Sequence, residues 1–131
     1  MSRNHSNLGS DTGSGIVGFV LVAPLLVATF IAIGQIAMLV ADKSVLDSAA
    51  VIGARTASAA DATNAQGRSA VLNVLASRGT GFRPESIDVT QVRHQGLTYV
   101  SVSVTRRIEI PFLGREILIT GKARAIDEAS L

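Results

Sequence analysis

The sequence predicts an α+β fold: a long N-terminal transmembrane helix that continues into a small domain with a second helix and a 3–4-stranded antiparallel sheet. Three observations lead there. Residues 12–41 form a run of thirty without a charged side chain. The alanine-rich stretch after them keeps helical spacing and contains no proline through Ala60. From Glu85 onward the apolar period shortens to two, the period of a half-buried strand.

Residues 1–15 are polar and rich in Ser, Asn and Gly. They hold too little apolar surface to offset the entropy of ordering, which predicts a flexible leader. Residues 16–41 read IVGFVLVAPLLVATFIAIGQIAMLVA. As a helix they extend about 39 Å at 1.5 Å per residue, enough to cross a hydrocarbon layer of about 30 Å with some tilt. The run exceeds the apolar core of a cleaved secretory signal, about 7–15 residues, and Arg3 ahead of it is offset by Asp11. A retained anchor is therefore expected. Asp42 and Lys43 on the far side balance each other, so the flanking charges leave orientation open.

Nothing ends the helix at the membrane face, and one continuous helix is expected over residues 16–60, with Pro24 the place where it would break. Its exit half carries Leu46, Ala49, Ala50, Gly53, Ala54 and Ala57 at i, i+3, i+4, i+7 spacing. Small residues along one stripe let a neighbour approach closely. That neighbour is the chain's own domain, a second subunit, or both. A second helix is expected over residues 64–77, with Ala65, Val71, Leu72 and Leu75 on its apolar side and Gly79 and Gly81 ending it. Ile87 and Val89 then alternate with polar residues, as do Val100, Val102 and Val104 after the turn-like His94-Gln95-Gly96. Ile108, Ile110 and Phe112 alternate again up to Gly114, with Pro111 marking an edge or an end. Residues 116–125 read as the last strand. Residues 42–131 thus form one domain, whose sheet packs one face on the helices.

Composition excludes several functions. The net charge is +2 and the arginines are scattered, only Arg106 and Arg107 being adjacent; with no Trp and a single Tyr, no nucleic-acid surface is expected. Without cysteine there is neither a disulfide nor a thiolate metal site. His5 and His94 have no partner at ligand spacing, so no metal, cofactor or small-molecule substrate is expected. Glu109 and Glu116 fall on polar strand positions, where solvated charges are the rule. Asp11-Thr12-Gly13-Ser14 matches the active-site tetrapeptide of aspartic proteases. Those enzymes need two such aspartates sharing a proton, and here the motif runs directly into an apolar span. The chain is not expected to be an enzyme.

The junction between leader and span is more specific. Gly13-Ser14-Gly15-Ile16-Val17-Gly18-Phe19-Val20-Leu21-Val22-Ala23-Pro24-Leu25-Leu26 resembles the start of a TadE-like pseudopilin, which in this region reads Gly-Ser-x-x-Val-Glu-Phe-Ala-Leu-Val-x-Pro-Leu-Leu. Leu46-x-x-Ala49-Ala50-x-x-Gly53-Ala54-Arg55 is similar to a second run of that family, and Gly121-Lys122-Ala123-Arg124-Ala125 agrees in general plan.

The resemblance implies a pilin-like protein of the bacterial cytoplasmic membrane, single-pass, with residues 1–15 inside as the leader and residues 42–131 outside. It implies a prepilin-type peptidase cutting between Gly13 and Ser14. It also implies a role in assembling tight-adherence (Flp-type) pili, with other pilus-assembly proteins or pseudopilins and membrane lipid as partners. Phe19, Pro24, Ala49, Ala50, Gly53, Ala54 and Ala57 are the helix-packing positions. One position departs: the family usually has glutamate where this chain has Gly18, and Gln35 stands where many relatives carry a second glutamate. An accessory role is therefore expected rather than a major subunit. The alternative is a signal-anchored envelope scaffold with an uncleaved leader.

Overall fold

The computed structural model describes residues 11–79 and 81–131. Helix α1 spans Asp11–Ser58 and helix α2 Asn64–Ala76. Strands β1 (Ser86–His94), β2 (Leu97–Ile110) and β3 (Arg115–Ile126) follow, then a single 3-10 turn at Glu128–Ser130. The chain divides into two compact units, Met1–Ala37 and Met38–Leu131.

The first unit, over its described residues, is helix. Its large side chains face outward on every side, Phe19 and Phe30 each 73% exposed. Apolar all round and uncovered among the described residues, such a helix has lipid or other helices as its natural surroundings. Pro24 lies inside α1 and does not end it. Thr29 Oγ1 donates to the carbonyl of Leu25 at 2.8 Å, so this hydroxyl is satisfied within the helix, as an apolar solvent requires. The helix begins at Asp11, five residues before the expected start near Ile16. Residues 1–10 of the expected leader lie outside the described residues. Extending an existing helix adds a backbone bond per residue, which offsets the roughly 1 kcal/mol cost of each glycine.

The second unit is built on an antiparallel sheet in the order β1-β2-β3. Gln95 and Gly96 both take positive φ (51° and 84°), which makes the two-residue hairpin that sets His94 opposite Leu97. Thr63 caps α2: its hydroxyl accepts from the Gln66 N–H at 3.3 Å, and the Gln66 carbonyl oxygen Oε1 accepts from the Thr63 N–H at 2.9 Å. There are three strands among the described residues, because the alternation at Ile108 and Ile110 belongs to the far end of β2, opposite Ile117 and Arg115. Phe112 is not on a strand. It sits in the β2–β3 hairpin at φ +70°, and the Leu113 N–H donates to Ile110 O across it at 3.3 Å. Pro111 and Phe112 are thus the central pair of a type II turn, whose third position requires positive φ and favours glycine. Holding a phenylalanine there costs about 1–3 kcal/mol.

The core lies on one sheet face. Cross-strand rows Ile87–Val104–Gly121 and Val89–Val102–Ala123 meet Leu46, Ala49, Ala50, Ala54 and Ala57 of α1 and Val71 and Leu75 of α2. Three glycines decide how near the layers come. A Cβ on Gly67 would stand 2.6 Å from Ala57 Cβ and 2.9 Å from the Gly53 carbonyl. One on Gly53 would collide with a Val71 methyl and stand 3.1 Å from the Gly67 carbonyl. One on Gly121 would stand 2.6 Å from the Asp47 nitrogen and overlap the Leu46 backbone. Helix backbone therefore lies directly on helix and strand backbone.

Gly67→Ala and Gly121→Ala are each expected to destabilise the second unit by about 1–3 kcal/mol through overpacking. In micelles this lowers the melting temperature by roughly 4–8 °C per kcal/mol. Gly81→Ala, with nothing within 4 Å of the added carbon, is the control expected to melt with wild type. Equal melting of all three would refute the close approach.

Candidate functional site

The residues singled out by sequence separate into two groups. Phe19 and Pro24 stand exposed on the apolar helix of the first unit. Ala49, Ala50, Gly53, Ala54 and Ala57 are buried in the second. The chain's own domain contacts that stripe through α2 and β2. Gly13 and Ser14 lie in the first turn of α1. The tetrapeptide Asp11–Ser14 is helical, whereas the aspartic-protease motif belongs to a loop. Gly18 is exposed, and a Cβ built there would meet nothing within 4 Å. The chain's own packing therefore does not require glycine at this position.

The helix enters the second unit past its first charged residue since position 11, and that residue is tied down. Arg106 Nη1 donates to Asp42 Oδ2 at 3.0 Å. The same guanidinium reaches the Gly81 carbonyl at 3.3 Å and lies 4.0 Å over the Phe82 ring. One side chain on β2 thus fastens α1 and the loop after α2 to the sheet. The pair is about three-quarters buried on each side, where ion pairing and cation–π attraction are less screened than at an open surface.

The opposite sheet face is polar. Arg107 there bridges Glu85 (2.8 Å) and Glu116 (2.9 Å). Hydrogen bonds to Glu85 and then Glu116, with the charges of both, raise its pKa above the usual arginine value. A raised cationic pKa stabilises fully below the unfolded value and fades only as pH climbs through the higher folded one. Both lie far above neutrality, so the cluster's contribution is constant at ordinary pH. His94 lines a shallow cleft on this face with Val92, Tyr99, Arg124 and Ile126. Among the described residues no group of three His, Cys, Asp or Glu side chains is placed to hold a metal ion.

These features define a class: among the described residues, one helix long and apolar enough to cross a membrane, followed by a folded α+β unit. Residues 13–55 match the family model described as TadE-like protein. No curated protein and no solved structure matches the chain. The matched segment starts at Gly13 and ends inside the small-residue stripe, which covers both runs that carried the resemblance. The similarity is to this N-terminal part of the chain.

Several contributors escaped sequence reasoning. Gly67 and Gly121 have no periodic signal of their own, since each matters only through what lies across from it. Thr63-x-x-Gln66 is a capping-box pattern that could have been recognised. Arg106 was noted only as half of an adjacent pair. Leu113 was passed over.

Arg106→Gln removes both the ion pair and the ring contact, and is expected to cost about 1–2 kcal/mol. Thermal melting in micelles checks this. A melting series from about pH 6 to about pH 9 should carry no step traceable to Arg107; wild-type stability in the Gln variant would leave Arg106 without its fastening role.

Proposed function

We propose that this chain is a TadE-type pseudopilin, an accessory subunit in the assembly of tight-adherence (Flp-type) pili in the bacterial cytoplasmic membrane. The observation that carries the reading is the family match, which begins at Gly13 and runs through the apolar helix into the small-residue stripe. In this account the leader is cytoplasmic and residues 42–131 are outside. A prepilin-type peptidase removes residues 1–13. Gly13 and Gly15 assist, because glycine weakens a helix by about 1 kcal/mol relative to alanine and so eases local unwinding at the cut.

The trimmed helix is then free to leave the cytoplasmic face and pack with like helices. In lipid, association rests on packing and interhelical hydrogen bonds rather than on water exclusion. Phe19, Phe30 and the other outward side chains supply that surface. The stripe from Ala49 to Ala57 does not, because the domain already covers it. Partners are membrane lipid, the peptidase and other pilus-assembly proteins or pseudopilins.

Gly18 supports a second reading. A buried carboxylate at that position would be costly in lipid unless paired, which gives relatives that carry glutamate a reason to assemble. Its lack favours a signal-anchored envelope scaffold with the leader retained.

Intact mass of membrane-extracted protein, with and without a prepilin peptidase, distinguishes the two. The pseudopilin reading expects a chain starting at Ser14 only when the peptidase is present. A chain starting at Met1 in both samples would overturn it in favour of the scaffold.

A further inference from the structure

We propose that the β2–β3 hairpin tip is a second membrane-contacting element, with Phe112 and Leu113 entering the lipid interface. The inference rests on the membrane reading of the apolar helix and goes beyond it.

The tip is apolar and uncovered. Phe112 is 90% exposed and Leu113 64%. Behind them Ile108, Ile110 and Ile117 are only partly buried and stand outside the core cluster, and Leu118 is 61% exposed. A globular domain in water gains nothing from such a tip. The turn itself adds to this, because Phe112 occupies the positive-φ position that glycine would fill without strain. A bulky ring is held there against backbone preference.

Position within the second unit names the occupant. Arg106 contacts Asp42. Gly121, paired with Val104, lies against Leu46 and Asp47, and Val102 lies near Gly53. Along β2 in this direction the α1 contacts therefore rise in number as the strand numbers fall, so β2 runs antiparallel to α1. Continuing past Arg106, the hairpin heads toward the end of the unit where Met38 stands. Ile110 is about 13 Å beyond Arg106 at 3.3 Å per residue. Asp42 is the first charge after the uncharged run of residues 12–41 and so marks the edge of the apolar layer. Amphipathic elements that lie on a membrane sink about 5–10 Å into its headgroup and acyl boundary. The hairpin is long enough to reach that depth. Its charges do not oppose it: Glu116 is paired with Arg107, and Glu109 is offset by the nearby Arg115 in formal charge.

The sequence has no cysteine, so single cysteines can report on depth in the full chain. Phe112→Cys, Leu113→Cys, Phe30→Cys and Arg93→Cys are each labelled with an environment-sensitive fluorophore and reconstituted in phosphatidylcholine–phosphatidylglycerol vesicles. Lipids carrying a shallow or a deep nitroxide are the quenchers. The expected result is blue-shifted emission and shallow quenching at 112 and 113, deep quenching at 30 and none at 93. Deep quenching at 30 with none at 112 and 113 overturns the proposal and leaves the anchor intact. No quenching at 30 overturns the anchor as well. Protection of 112 and 113 from aqueous iodide without lipid quenching assigns the tip to a second copy of the chain, which also overturns the proposal. Phe112→Gly supplies a variant that relieves the turn: the domain should melt no lower than wild type, while the label at 113 loses part of its lipid quenching.

Discussion

The second unit depends on backbone meeting backbone. Where α1 passes α2, a Cβ on Gly53 would stand 3.1 Å from the Gly67 carbonyl and one on Gly67 2.9 Å from the Gly53 carbonyl. Where α1 passes β3, Gly121 leaves the strand bare against Leu46 and Asp47. Close packing of this kind trades bulky side chains for a large number of short dispersion contacts, each small and together considerable. It also leaves little tolerance, because a methyl group in the gap moves a helix and not merely a side chain. The polar fastenings follow from it. Asp47 can accept from the Lys122 N–H at 3.3 Å only because Gly121 lets α1 come so close, and Arg68 Nη1 can reach the Ile87 carbonyl at 3.2 Å from an α2 that packs tightly on the sheet. Each bond occupies a backbone group on an outer strand, which blunts an edge that would otherwise invite pairing.

One helix serves two surroundings by changing side-chain size. Over its early residues Phe, Leu, Ile and Val project on all sides and find no cover among the described residues. Over residues 46–57 alanine and glycine replace them on one stripe, and that stripe is buried to 3% exposure or less at each alanine. Bulky side chains suit a fluid apolar solvent, where shape need not be matched. Small ones suit a rigid protein partner, where distance sets the energy. The change occurs just after Asp42 and Lys43, so charge, residue size and packing partner all turn over within a few residues.

Much of this is legible in sequence because it is periodic. The apolar run, the Leu46-to-Ala57 stripe and the valines at 100, 102 and 104 each repeat at the spacing of their element, and the structure forms those elements. The helix start is not legible because polar glycine-rich residues 11–15 look like a tail when read alone, yet they extend a helix already nucleated beyond them. Phe112 reads as strand because its alternation with Ile110 is in phase. The turn takes over there, since Pro111 fixes one turn angle and Gly114 supplies another positive φ. The partner glycines could not be read at all. A glycine's value at positions 67 and 121 resides in the element opposite, which only the tertiary arrangement supplies. The junction at Gly13 and Ser14 is of a different kind, since the cut proposed there would depend on a second protein and not on this chain's fold.

The central claim, that residues 46–57 are held by the sheet and α2 as one body, is most directly tested by amide hydrogen exchange on the full chain in lipid nanodiscs. The account predicts that amides at 46–57 exchange together with those at 100–104, as one cooperative unit. Rapid exchange at 46–57 with residues 100–104 still protected would contradict it.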